Sequence, residues 1–275
     1  MRAGTSPRWQ RALPCAAYLA AAVPLVRLAY GTLRVPVVGN AAPWLGVPVA
    51  AALLLATSAL LRRERRSPSE LGLRLSRRAA THLTCGLAAG LLLLGAGALL
   101  LRLVLPFTWR VNPSLLPAVA LGSLLFGVIT ATCEELAWRG YAFDGLLRLY
   151  GVWPAQVVVA LVAAYFHVLS GWSWAVALTS TIAGSVLFGL VFLRWRSVPA
   201  AVGVHAGWNW GRDLGLSPGS AGSVWLPEGM QRWTPTQWSV AQAVLIALTL
   251  VACAWLIASR RIVEGAASEP PNESL

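Results

Sequence analysis

An all-α, polytopic transmembrane bundle of about eight spans is the fold this sequence predicts, on three observations. Of the 275 residues, 57% are hydrophobic and only 12% charged, with a mean hydropathy of +0.65, far more apolar than an ordinary globular domain. Apolar stretches close to the length of about 20 residues needed to cross a bilayer recur along the chain. The remaining charges collect in short segments between them.

The spans are read at 12–31, 36–61, 80–105, 115–133, 153–170, 173–193, 198–211 and 237–258. Residues 12–33 imitate a signal peptide. They lack a clear small-residue cleavage site, however, and Arg27 interrupts them, so they are read as a first span. Residues 62–78, "RRERRSPSELGLRLSRR", carry seven arginines against Glu64 and Glu70. Within them "SPSELGLRLSRR" reads as a short interfacial element capped by Ser67 or Ser69. Residues 212–238 form the longest extracytoplasmic loop, with tryptophans suited to an interfacial belt. The tail "EGAASEPPNESL" reads as disordered. The chain thus divides into two N-terminal spans with the arginine-rich loop (1–79), a third span (80–114), a core (115–211), and a loop, last span and tail (212–275).

All 22 basic residues are arginine, a bias that points to a high-GC, bacterial coding sequence. The net charge of +12 raises nucleic acid as a partner, but the arginines are scattered through short loops and form no single patch. Lipid head groups account for them, and no nucleic-acid partner is expected. With eight spans, Arg2, Arg8, Arg11, the 62–78 cluster, Arg194, Arg196, Arg260 and Arg261 share one side with both termini. The opposite loops hold Arg34, Arg110, Arg212 and Arg232. A multi-pass cell-membrane protein with both termini cytoplasmic is expected. Cys15, Cys85, Cys133 and Cys253 lie far apart with no CxxC spacing, so neither a disulfide framework nor a cysteine zinc site is indicated.

Against this background a few polar residues stand out. Of ten acidic residues, only Glu134 and Glu135 border a span at its polar end, in "TATCEELAWRGYAF". His167, His205 and Asn209 lie inside apolar runs. An ionised group at the bilayer centre costs about 2.5–3.5 kcal/mol on insertion scales, so such residues are functional candidates. Glu135 and Arg139 are four apart, in the favourable order for an ion pair on one helix face. Glu134 is turned about 100° away. His205 and Asn209 are also four apart and share a face. A carboxylate, two imidazoles and a carboxamide from separate helices suit a hydrolytic site that activates water and holds an oxyanion. Each feature alone has a plainer reading. Glu134, Glu135 and Arg139 could be an interfacial charge cluster, "HAGWN" could be interhelical polar glue, and His82 reads as interfacial.

"EELAWRG" resembles the EExxxR motif of the CPBP family, the CAAX-processing and bacteriocin-processing intramembrane proteases also called Abi. "VPAAVGVHAGWNW" is similar to that family's last motif, HxxxN, and "AAYFHVL" resembles the middle motif, FxxxH, with His167 as its histidine. Here Ala163 stands where the motif has Phe, and Phe166 sits beside the histidine. "SPSELGLRL" also resembles an element that often precedes the family domain. The resemblance covers about 115–211. It implies an intramembrane endopeptidase acting on membrane-associated peptides or proteins. Glu134 would be the general base with His167 beside it, His205 and Asn209 the oxyanion donors, and Glu135 and Arg139 their support. Eukaryotic relatives trim prenylated CaaX proteins, whereas bacterial relatives are linked to peptide or bacteriocin processing and self-immunity.

The family is commonly named a metalloprotease family. Glu134, His167 and His205 are the candidate ligands for Zn²⁺, or the same residues serve a metal-free site. No HExxH occurs and Asn209 is a poor zinc ligand, which favours metal-free water activation. A rival class is a non-catalytic immunity or scaffold protein, or a transporter using Glu134 as a proton site. One geometric condition follows from the spans. Glu134 lies near the cytoplasmic end of its span and His167 deep within another, so they meet only if the fourth helix runs on past Arg139 or the helices tilt.

Overall fold

The computed structural model describes residues 7–30, 44–217 and 222–259. Arg2, Arg34, Arg260, Arg261, the start of the predicted second span and the predicted disordered tail lie outside them. The helices are α1 (Arg8–Ala29), α2 (Gly46–Arg63), α3 (Arg77–Val104), α4 (Pro117–Arg139), α5 (Tyr141–Tyr150), α6 (Val152–Leu169), α7 (Trp174–Val176), α8 (Ile182–Trp195), α9 (Val198–Gly215) and α10 (Pro235–Ala258). A π-helical turn, Ala177–Thr181, joins α7 to α8 without a break. The fold is an all-α membrane bundle. Among the described residues seven segments are long and apolar enough to cross a bilayer, with α4–α5 and α7–α8 each counted as one. The eighth predicted span, α9, is the exception, because His205, Asn209, Arg212 and Asp213 interrupt it. Its first half is instead buried on every side, from Val198 through Gly207 with few gaps, as expected of a central helix packed all round.

Helix boundaries follow local chemistry. Ser76 caps α3, Ser197 caps α9, and Thr234 with Gln237 forms a capping box at α10. The predicted interfacial element is a 3-10 turn, Pro68–Leu71, capped by Ser67 in a box with Glu70. At Gly140 the backbone leaves helical geometry, and the fourth helix resumes as α5. α4 itself ends at Arg139, and the apolar segment continues after this break as α5.

A close backbone approach sets the position of α9. Gly86 and Gly90 of α3 face Gly203 and Gly207 of α9 in parallel register. A Cβ added at Gly90 would collide with the Val204 carbonyl, and one at Gly207 with the Leu87 carbonyl. Small residues four apart let membrane helices touch along their backbones. His205 lies about 200° from both Gly203 and Gly207 around the helix. The glycine face therefore seats α9 on α3 and turns its histidine face inward.

The two ends of the bundle differ. At one end Asp144 of α5, fully buried, accepts hydrogen bonds from Arg66, from Arg148 at 3.1 Å and from Arg196 at 2.5 Å. Glu70 bridges Arg66 and Arg148 at 3.0 Å each. The arginine-rich loop, α5 and the end of α8 are thereby tied together. At the other end β1 (Thr108–Val111) pairs antiparallel with β2 (Trp225–Glu228). This short ribbon, absent from the sequence reading, is braced by Trp109 donating to the Gly215 carbonyl at 2.8 Å and Trp233 donating to the Pro106 carbonyl at 3.1 Å. All four cysteines are free thiols.

Two outcomes test this architecture. Gly207→Ala should destabilise the detergent-solubilised protein by about 1–3 kcal/mol, the usual range for overpacking. Gly122→Ala, where an added Cβ meets nothing within 4 Å, should leave its thermal midpoint unchanged or slightly raised. Asp144→Asn should cost about 3 kcal/mol, the lower end for removing one partner of a buried ion pair, because it leaves three guanidinium groups facing one another.

Candidate active site

The site is built where α4, α6, α8 and α9 converge. Glu134, Glu135 and Arg139 are 3%, 0% and 1% exposed, so each charge needs a partner in place. Adjacent positions on α4 send the two carboxylates to different neighbours. Glu135 forms the predicted i,i+4 ion pair with Arg139, at 3.2 Å. It also accepts a hydrogen bond from His205 Nδ1 at 2.8 Å. Arg139 in turn donates to the Ser185 carbonyl at 2.5 Å and to Ser185 Oγ at 2.7 Å. Phe188 stacks flat on the His205 ring, 4.5 Å away, and lies beneath the Arg139 guanidinium. One carboxylate thus ties α4 to α9, and through Arg139 to α8.

Glu134 faces elsewhere. It accepts hydrogen bonds from the Tyr30 hydroxyl and from Trp138 Nε1, the latter at 3.3 Å. Its Oε1 lies 3.9 Å from His205 Nε2. That separation is beyond a direct hydrogen bond. Both groups line a cavity of about 120 Å³ together with His167, Asn209, Thr181, Ser185 and Trp208. One water needs about 10–15 Å³ of such volume, so a water and part of a substrate fit side by side.

Tautomers follow from the acceptors. His167 Nδ1 lies 2.9 Å from the Ala163 carbonyl, which only accepts, so Nδ1 carries the proton and Nε2 keeps its lone pair in the neutral ring. Trp172 and Phe166 stand edge-on to this ring at 4.6 and 5.0 Å. His205 Nδ1–H is held by the Glu135 carboxylate, which leaves Nε2 on the side of Glu134. The Asn209 carboxamide makes no hydrogen bond among the described residues and lines the cavity one turn above His205.

All six residues singled out from sequence therefore meet in one place. Glu134, Arg139, His167, His205 and Asn209 line the cavity, and Glu135 lies behind it. Several contributors were missed. Tyr30 comes from the end of α1, and Ser185 and Phe188 from α8, with nothing local to mark them. Trp138 was within reach, being four residues after Glu134 on the same helix. Phe166, next to His167, packs against Trp138 at 5.9 Å and Tyr30 at 5.8 Å, the two residues that donate to Glu134.

The candidate zinc ligands can be tested against this geometry. Among the described residues no three His, Cys, Asp or Glu side chains stand close enough to share an ion. The donor set does not fit a zinc centre, which needs three protein ligands and an open position.

Comparison with curated proteins finds no match for the chain. Residues 116–211 match the family described as type II CAAX prenyl endopeptidase, Rce1-like. That stretch runs from the start of α4 through most of α9 and contains every residue of the cavity's polar floor except Tyr30, which reaches in from α1. Over this core, 96 of its 275 residues, the chain is similar to the CAAX prenyl endopeptidase family.

Proposed function

We propose that the protein is an intramembrane endopeptidase that hydrolyses a peptide bond of a membrane-associated substrate with water activated by Glu134. The observation that carries this reading is the unequal fate of two neighbouring carboxylates. Glu135 is committed to Arg139 and His205, while Glu134 faces a cavity large enough for water and a substrate carbonyl.

In this mechanism a water sits between Glu134 and the scissile carbonyl. Glu134 takes one proton as the water oxygen attacks, and the His167 Nε2 lone pair holds the second hydrogen. Negative charge then develops on the carbonyl oxygen. His205, when its ring carries a second proton, donates from Nε2, and Asn209 donates from its amide. Such fixed donors act strongly in a site that excludes water. Glu134 passes its proton to the departing amine as the C–N bond breaks. Tyr30 and Trp138 hold the Glu134 carboxylate in position, and Glu135 holds the His205 ring so that Nε2 stays on the cavity side. The Arg139–Ser185 contact fixes Glu135 in turn. No step requires a metal ion.

Glu134→Gln retains an acceptor for Tyr30 and should fold normally, yet cleavage of a membrane-anchored peptide reporter should be abolished. Full activity in that variant would remove Glu134 from the base position. Arg139→Leu leaves Glu135 without its guanidinium and should cost about 3–5 kcal/mol of stability as well as activity. Asn209→Ala should lower kcat about 10²–10³-fold, the usual effect of deleting one oxyanion donor, with no change in thermal midpoint. Activity should survive 1,10-phenanthroline at concentrations that strip a control zinc protease. Loss of activity that added Zn²⁺ restores would overturn the metal-free assignment.

A further inference from the structure

Toward its arginine-rich end the bundle carries two adjoining hollows on its outer surface. The first is a groove of about 390 Å³ between α3, α8 and α10, with Ala200 and Val204 of α9 as its floor. Its walls are apolar, with Ala89 and Leu93 of α3, Val191 of α8 and Ala252 of α10 among them. None of its residues lines the candidate active site. From His82 to Leu93 the groove follows α3 for about 16 Å at 1.5 Å per residue. That is close to half of the about 30 Å hydrocarbon core of a bilayer, the depth of one leaflet. A spanning helix from a partner would run the whole thickness, whereas an acyl chain fills one leaflet.

The second hollow, of about 250 Å³, sits at the mouth of the first, and His82 and Trp195 line both. It is polar, and Arg74, Arg78 and Arg196 reach it. Arg196 is committed to Asp144 at 2.5 Å. Arg74 and Arg78 form no ion pair among the described residues. Glu70 also lines this hollow, but its Oε2 accepts from Arg66 and Arg148 at 3.0 Å each, and its Oε1 from the Ser67 N–H at 2.9 Å. Two guanidinium groups therefore face a space to which the chain brings no free anion. The first turns of α3 and α9, which border the same space, contain no acidic side chain.

Backbone geometry shapes the polar hollow. Gly72, at φ 71°, brings the chain after the 3-10 turn against Ser197, where an added Cβ would lie 3.0 Å from the Ser197 Cα. Arg196 holds φ 47°, a left-handed conformation uncommon outside glycine. The arginine-rich loop and the α8–α9 junction are thereby pressed together, with the space between them left open.

Neither hollow names a ligand by itself. Guanidinium groups take phosphates and carboxylates alike, and an apolar groove takes any hydrocarbon. Their continuity narrows the choice to an anionic head group joined to an apolar chain one leaflet long. We infer that the paired hollows form a site for one anionic phospholipid, its phosphate held by Arg74 and Arg78 and one acyl chain lying in the groove between α3, α8 and α10. Trp195 and Trp255, both exposed, flank the groove near its mouth, as amphipathic rings do at the level of the head groups. A lipid bound there joins the arginine-rich loop to α3, α8 and α10. The inference rests on packing and charge, and is independent of the endopeptidase reading.

Native mass spectrometry and thermal unfolding of the full chain in a maltoside detergent test this. Dioleoylphosphatidylglycerol is the anionic probe, and dioleoylphosphatidylcholine is the neutral one with the same chains. The first phosphatidylglycerol should bind about ten-fold or more tightly than phosphatidylcholine, the scale expected of two arginines near an anionic head group, and should raise the thermal midpoint. Arg74→Gln combined with Arg78→Gln should remove that preference. Arg62→Gln combined with Arg63→Gln removes the same charge at the same end but outside both hollows, and should keep it. Ala89→Phe should weaken phosphatidylglycerol binding by filling the groove, and Ala252→Phe does the same from the opposite wall should Ala89→Phe fail to accumulate. Equal binding of the two lipids overturns the inference. So does an equal loss of preference in both arginine pairs, which reduces the effect to diffuse charge. Glycerol 1-phosphate, the head group without its chains, should not displace the lipid. Displacement by it, or full binding in Ala89→Phe and Ala252→Phe, assigns the arginines to a free phosphate and overturns the lipid site. A stable dimer that phosphatidylglycerol leaves intact and Ala89→Phe dissociates gives the groove to a second copy of the chain, and overturns it as well.

Discussion

The buried charge of Glu135 is the constraint on which the site depends. Taking a carboxylate out of water costs several kcal/mol even after relaxation, and the cost is recovered only when geometry and hydrogen bonding are both good. Here recovery needs two other helices. Arg139 supplies the charge from one turn along α4, but its far side must be satisfied by Ser185 of α8. His205 of α9 adds a second hydrogen bond to the Oε1 that accepts from Arg139, while Oε2 has only its 3.2 Å ion-pair contact with that guanidinium. The glycine contact with α3 fixes α9 from behind. α9 is therefore held on both faces, and a shift along its axis would break either a backbone contact or a buried charge pair. The proposed catalytic groups are positioned by this arrangement, because His205 is both a structural partner of Glu135 and the neighbour of Glu134.

Much of the site could be read in the sequence because it is encoded in helical spacing. The i,i+4 interval of Glu135 and Arg139 is a statement about one helix face, and so is that of His205 and Asn209. Ionisable residues inside apolar runs were conspicuous for the same energetic reason that makes them need partners. What spacing could not show was which distant helix would supply those partners. Tyr30 is 104 positions from Glu134, and Ser185 is an ordinary serine in an apolar helix. The glycines were visible at four-residue intervals in both α3 and α9, but a small-residue period becomes informative only once two such helices are known to face each other. The ribbon was hidden for another reason. Its strands are four residues long, lie in loops far apart in the chain, and carry no alternating pattern that would mark them.

The departure at Ala163 shows how the core absorbs a change in the family pattern. An aromatic residue one turn before His167 would occupy the cavity wall that Ala163 now lines with a methyl group. The aromatic bulk is found instead at Phe166, turned away from that wall and nearly fully buried. From there it packs edge-on against His167 and tilted against Trp138 and Tyr30. These are the histidine proposed to orient water and the two donors that hold Glu134. Support of the base is thus kept while the wall recedes. The cavity is therefore wider next to His167 than a phenylalanine at 163 would allow. Bulk removed from the cavity wall is retained behind Glu134, where it braces the residues that hold that carboxylate.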